Sequence, residues 1–239
     1  MLVRTGYPKK DRTMTRQYVK CKSEHPKGDT PGVLIGDPSK TKKGVVVLQE
    51  WWGLNDQIQD EAELIAKQAE VVTLVPDLYR GEKTTDNEQA GHLMGNLDWP
   101  GAIKDIKAAV LHLKSLGCKK VGVTGFCMGG ALSLAAAANI PEVDAAAPFY
   151  GIPGDDLADV SKIKCPLQCH FGELDKMEGF AAPGDQKKLK EKLDKGRVKH
   201  EFYTYKADHA FTNTSGPNYD KECCDLALKR MCEFMNKNL

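Results

Sequence analysis

The chain has 239 residues, of which 41% are hydrophobic and 28% charged, and its formal net charge is +1. That balance is ordinary for a globular protein and does not point to a nucleic-acid or anionic-membrane surface. No run approaches the roughly 18 apolar residues of a membrane span, and no basic stretch leads into an apolar core of the kind a secretory signal needs.

In chain order, Met1–Arg16 is basic, with Asp11 its single acid, and reads as a tail or a weak organelle-targeting segment; Met14 is an alternative start. Residues 18–22 and 32–36 read as short edge strands of a hairpin-like entry. Residues 44–49 form the continuous apolar run of a central parallel strand. After Glu50-Trp51-Trp52-Gly53, Asn55 or Asp56 caps a helix to about Ala69, with Ile58, Ala62, Ile65, Ala66 and Ala69 at helical spacing. A strand follows at 71–75 and a loop at 76–87, and Trp99–Leu116 is an amphipathic helix closed by Gly117. Strands are expected at 121–124, 144–150, 166–171 and 200–205, and helices at 131–138, 186–193 and 221–235. This alternation predicts an α/β fold: a mostly parallel central sheet with helices on both faces, one domain over 31–239, and 1–30 as a tail or edge segment.

The eight cysteines are scattered. Cys165 and Cys169 fall in one strand, where four residues span roughly 13 Å, too far for both to reach one zinc at about 2.3 Å. No metal site and no cofactor are expected. Unpaired, scattered thiols fit a reducing compartment, so the cytoplasm is the expected location.

One cysteine stands apart. Gly125-Phe-Cys127-Met-Gly129 lies between a buried strand and an Ala-rich helix, which is the context of a nucleophile elbow with cysteine in place of serine. The short pattern alone also fits a glycine-rich turn around an inert buried cysteine; the strand and helix on its flanks favour the elbow. A nucleophile at such an apex is held in a strained backbone, its neighbours on either side must be small, and the helix N-terminus favours thiolate and oxyanion. The Met128 N–H then becomes one oxyanion donor. A cysteine nucleophile needs a base, and the base an orienting acid. Cys127, Asp175 and His209 occur in the order nucleophile, acid, histidine, and each follows a predicted strand at the sheet's carboxyl edge. His25, His112, His170 and His200 fall in poorer positions, and His92 remains an outside candidate. Asp208 adjoins His209, but adjacent side chains usually diverge, so Asp175 is the better orienter.

Gly125-Phe-Cys-Met-Gly-Gly-Ala131 resembles the elbow of the dienelactone hydrolase family, α/β-hydrolases with a cysteine nucleophile. Gln49-Glu-Trp-Trp-Gly-Leu-Asn55, Val75-Pro-Asp-Leu-Tyr-Arg-Gly81, His170-Phe-Gly-Glu-Leu-Asp175 and Asp208-His-Ala-Phe211 match in the same order. The resemblance implies that Glu50 takes part in activating Cys127, holding the thiol at rest and accepting its proton when substrate enters. It implies the Trp51 N–H as the second oxyanion donor and Arg80 as a contact for a substrate carboxylate. Trp52 and Phe211 are expected to line the substrate pocket, although Trp51 and Trp52 also fit as core aromatics and Arg80 as a surface arginine. One departure concerns the substrate: Asn213 stands where chlorocatechol-pathway members carry a second arginine.

The expected activity is cysteine-dependent hydrolysis of a small ester or lactone through a thioester, by a monomer, with no nucleic-acid or membrane partner. The alternatives are a non-hydrolytic ligand-binding or redox-responsive protein on the same fold, and an acyltransferase using the same residues.

Overall fold

The computed structural model describes residues 14–239, so most of the basic N-terminal segment lies outside the described residues. One eight-stranded sheet forms from β1 (Arg16–Cys21), β2 (Thr30–Ile35), β3 (Lys43–Leu48), β4 (Val72–Pro76), β5 (Lys120–Phe126), β6 (Ala145–Phe149), β7 (Leu167–Gly172) and β8 (His200–Tyr205). The spatial order is β1-β2-β4-β3-β5-β6-β7-β8. β1 and β2 pair antiparallel, as do β2 and β4, and the remaining pairs are parallel. Strands β4, β6 and β7 are buried at every residue because helices cover both faces of the sheet, and their apolar runs follow from that. The edge strands β1 and β8 are partly exposed.

Among the described residues there are six α-helices, α1 (Asp56–Gln68), α2 (Asn87–Gly95), α3 (Trp99–Ser115), α4 (Met128–Asn139), α5 (Pro183–Lys195) and α6 (Lys221–Asn238), and one short 3-10 turn at Val160–Lys162. Helices α1 and α6 pack on each other, while α3 packs on α4. Asn55 caps α1 by accepting from the Ile58 N–H at 3.0 Å, one of the two caps expected.

Two sequence expectations are corrected here, and one helix is added. The entry hairpin is not wholly an edge, because β2 lies between β1 and β4. From Arg16 onward the N-terminal segment is anchored to α1, where Arg16 pairs with Asp60 and Glu63 at 2.5 and 2.8 Å. Helix α2 was not expected. It buries only Ala90, so it carries no apolar stripe, and its start is marked by Asp86 accepting from the Gln89 N–H at 2.9 Å.

The order of strands positions the site. After β3 the chain crosses to β4 on one side, then returns to place β5 on the other. The carboxyl ends of β3 and β5 therefore adjoin at the point where the strand order reverses, the usual ligand crevice of such sheets. Glu50 follows β3 there and Cys127 follows β5.

Candidate active site

Cys127 sits between β5 and α4 with φ 54° and ψ −115°, a left-handed conformation that non-glycine residues seldom adopt and that marks strained functional positions. The turn closes because its neighbours lack side chains: a Cβ on Gly125 would stand 2.4 Å from the Gly129 carbonyl oxygen, and one on Gly129 would stand 2.4 Å from that of Leu48. Helix α4 has no side-chain cap, so its first N–H groups are left for another acceptor.

The backbone N–H groups of Met128 and Trp51, the two expected oxyanion donors, both face the Cys127 sulfur closely enough to favour its thiolate. The loop carrying Trp51 is held by a bridge between Gly53 and Lys83 and by the Thr84 N–H donating to the Trp52 carbonyl at 3.0 Å. Burial first, then the charges of Glu50 and Asp175, push the thiol well above its ordinary range, while the two amides pull it down. On balance the site favours the neutral thiol, which resists the oxidation to which a permanent thiolate is prone.

His209 Nδ1 lies 2.7 Å from Asp175 Oδ2, and Asp175 is buried. The other ring nitrogen, Nε2, is buried without a hydrogen-bond partner, leaving it available for proton transfer. Asp208 instead accepts from the His209 backbone N–H at 2.7 Å, so it fixes the main chain and not the imidazole. His170 is locked between Tyr205 Oη at 2.8 Å and Gln168 Oε1 at 2.9 Å, and burial pushes its pKa down to about 3. His92 is on the outer face of α2 beside Glu88.

Glu50 is buried, and burial pushes its pKa up. Its carboxylate accepts from Tyr150 Oη at 3.2 Å and Asn213 Nδ2 at 2.5 Å, and the Trp52 indole N–H also approaches it. The charge of His209 favours its ionised form. Among the described residues the Cys127 thiol makes no hydrogen bond to Glu50; the carboxylate is held by these neutral donors instead. Sequence reasoning singled out Asn213 only as a missing arginine and gave Tyr150 no role. The sequence signal for Tyr150 was its place just after β6, at the same carboxyl edge.

Arg80 and Phe211, both expected to contact substrate, have partners within the protein. Arg80 Nη2 lies 3.0 Å from both Asp105 oxygens and 3.1 Å from the Gly28 carbonyl, while Nη1 donates to the Asp29 carbonyl at 2.7 Å. Asp105 is buried and also accepts from Ser23 Oγ and Thr30 Oγ1 at 2.7 and 2.5 Å. Arg80 thus ties the β1–β2 connection to α3, and releasing it to a substrate would leave a buried carboxylate uncompensated. Phe211 has no exposed surface and packs at 5.4 and 5.2 Å from the rings of Tyr150 and Tyr205, in the core beneath the site. Trp52 remains half-buried, packed edge-on to Trp51 with ring centroids 5.1 Å apart.

Residues 31–239 match the dienelactone hydrolase family. The chain is 35% identical over 191 residues to protein usf of Aquifex pyrophilus, covering 75% of this chain and 80% of that protein. It is 28% identical over 221 residues to the carboxymethylenebutenolidase of Pseudomonas putida, covering 87% and 92%. Among solved structures, a dienelactone hydrolase-like promiscuous phosphotriesterase from metagenomic libraries superposes with a TM-score of 0.80 at 21% identity, over 94% of this chain and 98% of that one. The Pyrococcus furiosus esterase Pf2001 superposes with a TM-score of 0.69 at 18% identity, over 97% and 96%. These two likenesses show the fold, an α/β-hydrolase sheet with helices on both faces, and the family match covers the whole of it from β2 onward. The chain belongs to the dienelactone hydrolase family.

Proposed function

We propose that the protein hydrolyses a small ester or lactone through a thioester on Cys127. The observation that carries this reading is the convergence of the Met128 and Trp51 amides on a sulfur held at φ 54°, as an oxyanion hole requires. In acylation the thiol proton passes to Glu50, the sulfur adds to the carbonyl, and the C–O bond breaks to release an alkoxide or enolate. In deacylation His209 Nε2, oriented by Asp175, takes a proton from water, hydroxide adds to the thioester, and the sulfur departs. The proton on Glu50 then returns to Cys127, and His209 returns its proton to the solvent, which has already protonated the released oxygen.

The test is acid quenching during turnover of p-nitrophenyl acetate and of neutral and carboxylated enol lactones, followed by mass analysis of the Cys127 peptide. An acyl mass on Cys127 that forms and decays within the turnover time is expected. An adduct that never decays would favour a ligand-binding role, and a product other than the free acid would favour acyl transfer. Because Arg80 is committed to Asp105, the neutral and carboxylated lactones should differ in kcat/KM by less than about tenfold, far short of what a free bidentate arginine would supply.

Glu50→Gln separates proton acceptance from nucleophile chemistry. Loss of a general base lowers kcat/KM by about 10²–10⁴-fold. The same change removes a negative charge beside the sulfur, so the thiol pKa falls. Iodoacetamide should therefore label Cys127 faster in the variant at pH 7 while turnover is slower. If both rates are unchanged, Glu50 is not the acceptor.

A further inference from the structure

A second buried carboxyl, Glu61 on α1, lies behind Glu50. Glu61 Oε2 accepts from Gln57 Nε2 at 2.7 Å, whereas Oε1 is buried without a hydrogen-bond partner. Thr212, from the loop before α6, faces this carboxyl, and its Oγ1 lies 2.7 Å from Tyr150 Oη. Tyr150 Oη in turn lies 3.2 Å from Glu50 Oε1. Four elements thus place Glu61, Thr212, Tyr150 and Glu50 in one buried row, in which the Thr212–Tyr150 and Tyr150–Glu50 steps are hydrogen bonds and Thr212 faces Glu61.

Counting hydrogens decides what the row contains. Tyr150 and Thr212 each carry one O–H. If Tyr150 donates to Glu50, Thr212 must donate to Tyr150, and Thr212 Oγ1 is then left needing a donor. The orphaned Glu61 Oε1 supplies it if Glu61 is protonated. The opposite order, with Glu50 protonated and Glu61 ionised, is equally complete, but with both carboxyls ionised only two hydrogens serve three contacts, one of them the 2.7 Å contact between the hydroxyls. The groups facing Glu61 are Gln57 from its own helix, Glu50 from the end of β3, Tyr150 after β6, and Thr212 and Cys224 from the last loop and α6. No lysine or arginine among the described residues pairs with it, and two buried carboxylates without a cation are costly.

We propose that Glu61 and Glu50 share one proton along the row Glu61–Thr212–Tyr150–Glu50, and that protonated Glu61 turns the Tyr150 O–H onto Glu50 and so keeps Glu50 ionised to receive the thiol proton. The second clause rests on the base role proposed for Glu50. Moving the proton is a concerted shift: Glu61 O–H to Thr212, Thr212 O–H to Tyr150, and Tyr150 O–H to Glu50, with one carboxyl neutralised as the other ionises. Burial and the Glu50 charge push Glu61 up to about 8, consistent with a proton resident on it at neutral pH. Glu61 acts here as a positioning residue, through Glu50.

Infrared difference spectroscopy of wild type against Glu61→Gln at pH 7 reads the proton directly. A protonated-carboxyl C=O band is expected, replaced by carboxylate bands as the pH is raised through about 8. Carboxylate bands alone at pH 7 would overturn the proposal. Thr212→Val removes the middle hydroxyl and should shift that band; an unmoved band would overturn the row through Thr212. In kinetics, the Gln amide can donate to Thr212 as the acid does, so Glu61→Gln should keep at least about ten times the kcat/KM of Glu61→Leu and lose the alkaline limb of the wild-type pH profile. Equal rates and unchanged profiles would overturn the positioning role. If Glu61→Leu does not fold, the Glu61→Gln profile and the Thr212→Val band decide. Should Glu50→Gln leave turnover unchanged, the base role fails, and the infrared band still decides whether the proton is shared.

Discussion

Replacing Cys127 with alanine is expected to lower kcat by about 10⁴-fold or more on every substrate of the panel, the scale seen when the nucleophile of a hydrolytic triad is removed. The Asp175–His209 pair and the two amides would remain, but an imidazole with no nucleophile to serve can only activate water poorly placed for attack. Alanine is smaller than cysteine, fits the same buried space, and keeps the same left-handed backbone. The folded structure should therefore survive, with a thermal midpoint within a few degrees of wild type. Parallel measurement of turnover and thermal unfolding checks both statements. Residual turnover within tenfold of wild type, in a folded variant, would remove Cys127 from the chemistry and with it the thioester.

Gly130→Ala is expected to damage the fold of the site severely. Its added Cβ would stand 2.0 Å from the Phe149 carbonyl oxygen and 2.9 Å from the carbonyl carbon. Neither atom belongs to a side chain that can turn away, so α4 and the end of β6 would have to separate. Phe149 O is also the acceptor for the Cys127 N–H at 3.1 Å, and Tyr150, the neighbour of Glu50, is the next residue. Overpacking a rigid contact of this kind costs about 3 kcal/mol or more, and the displaced elbow should lose turnover beyond what the lost stability explains. Gly91, inside α2, is the control. A Cβ there meets nothing within 4 Å, so Gly91→Ala should stabilise by about 0.5–1 kcal/mol through helix propensity. Urea denaturation of the two variants measures the contrast; similar midpoints would show that α4 and β6 have more slack than their backbone contact implies.

Much of the site was legible in the chain itself, because the determinants are local. A buried strand, two glycines around a cysteine and an Ala-rich helix describe the elbow within a dozen residues. Asp175 and His209 were each found by following a strand, since a parallel sheet delivers every strand end to the same edge. The helices α1, α3 and α6 were found from their apolar stripes, and α2 was missed because it has none.

What faces what was decided by the tertiary structure. Periodicity states that a side chain is buried and not which group meets it. Arg80 looked like a ligand arginine from its place in a loop, but folding set it against the buried Asp105, an interaction 25 residues away that no motif encodes. Phe211 is two residues from His209 in sequence and packs in the core against the rings of Tyr150 and Tyr205. The partners of Glu50 are the clearest case: Tyr150 is 100 residues away and Asn213 is 163. Glu61 lay in plain view on an amphipathic helix, yet read as one more charge. The sequence by itself determined the sheet, the elbow and the placing of Cys127, Asp175 and His209 after successive strands, because each follows from local backbone rules. Only the tertiary structure determined the charge environment of Glu50 and Cys127, because buried polar groups must find their partners across strands that meet nowhere else.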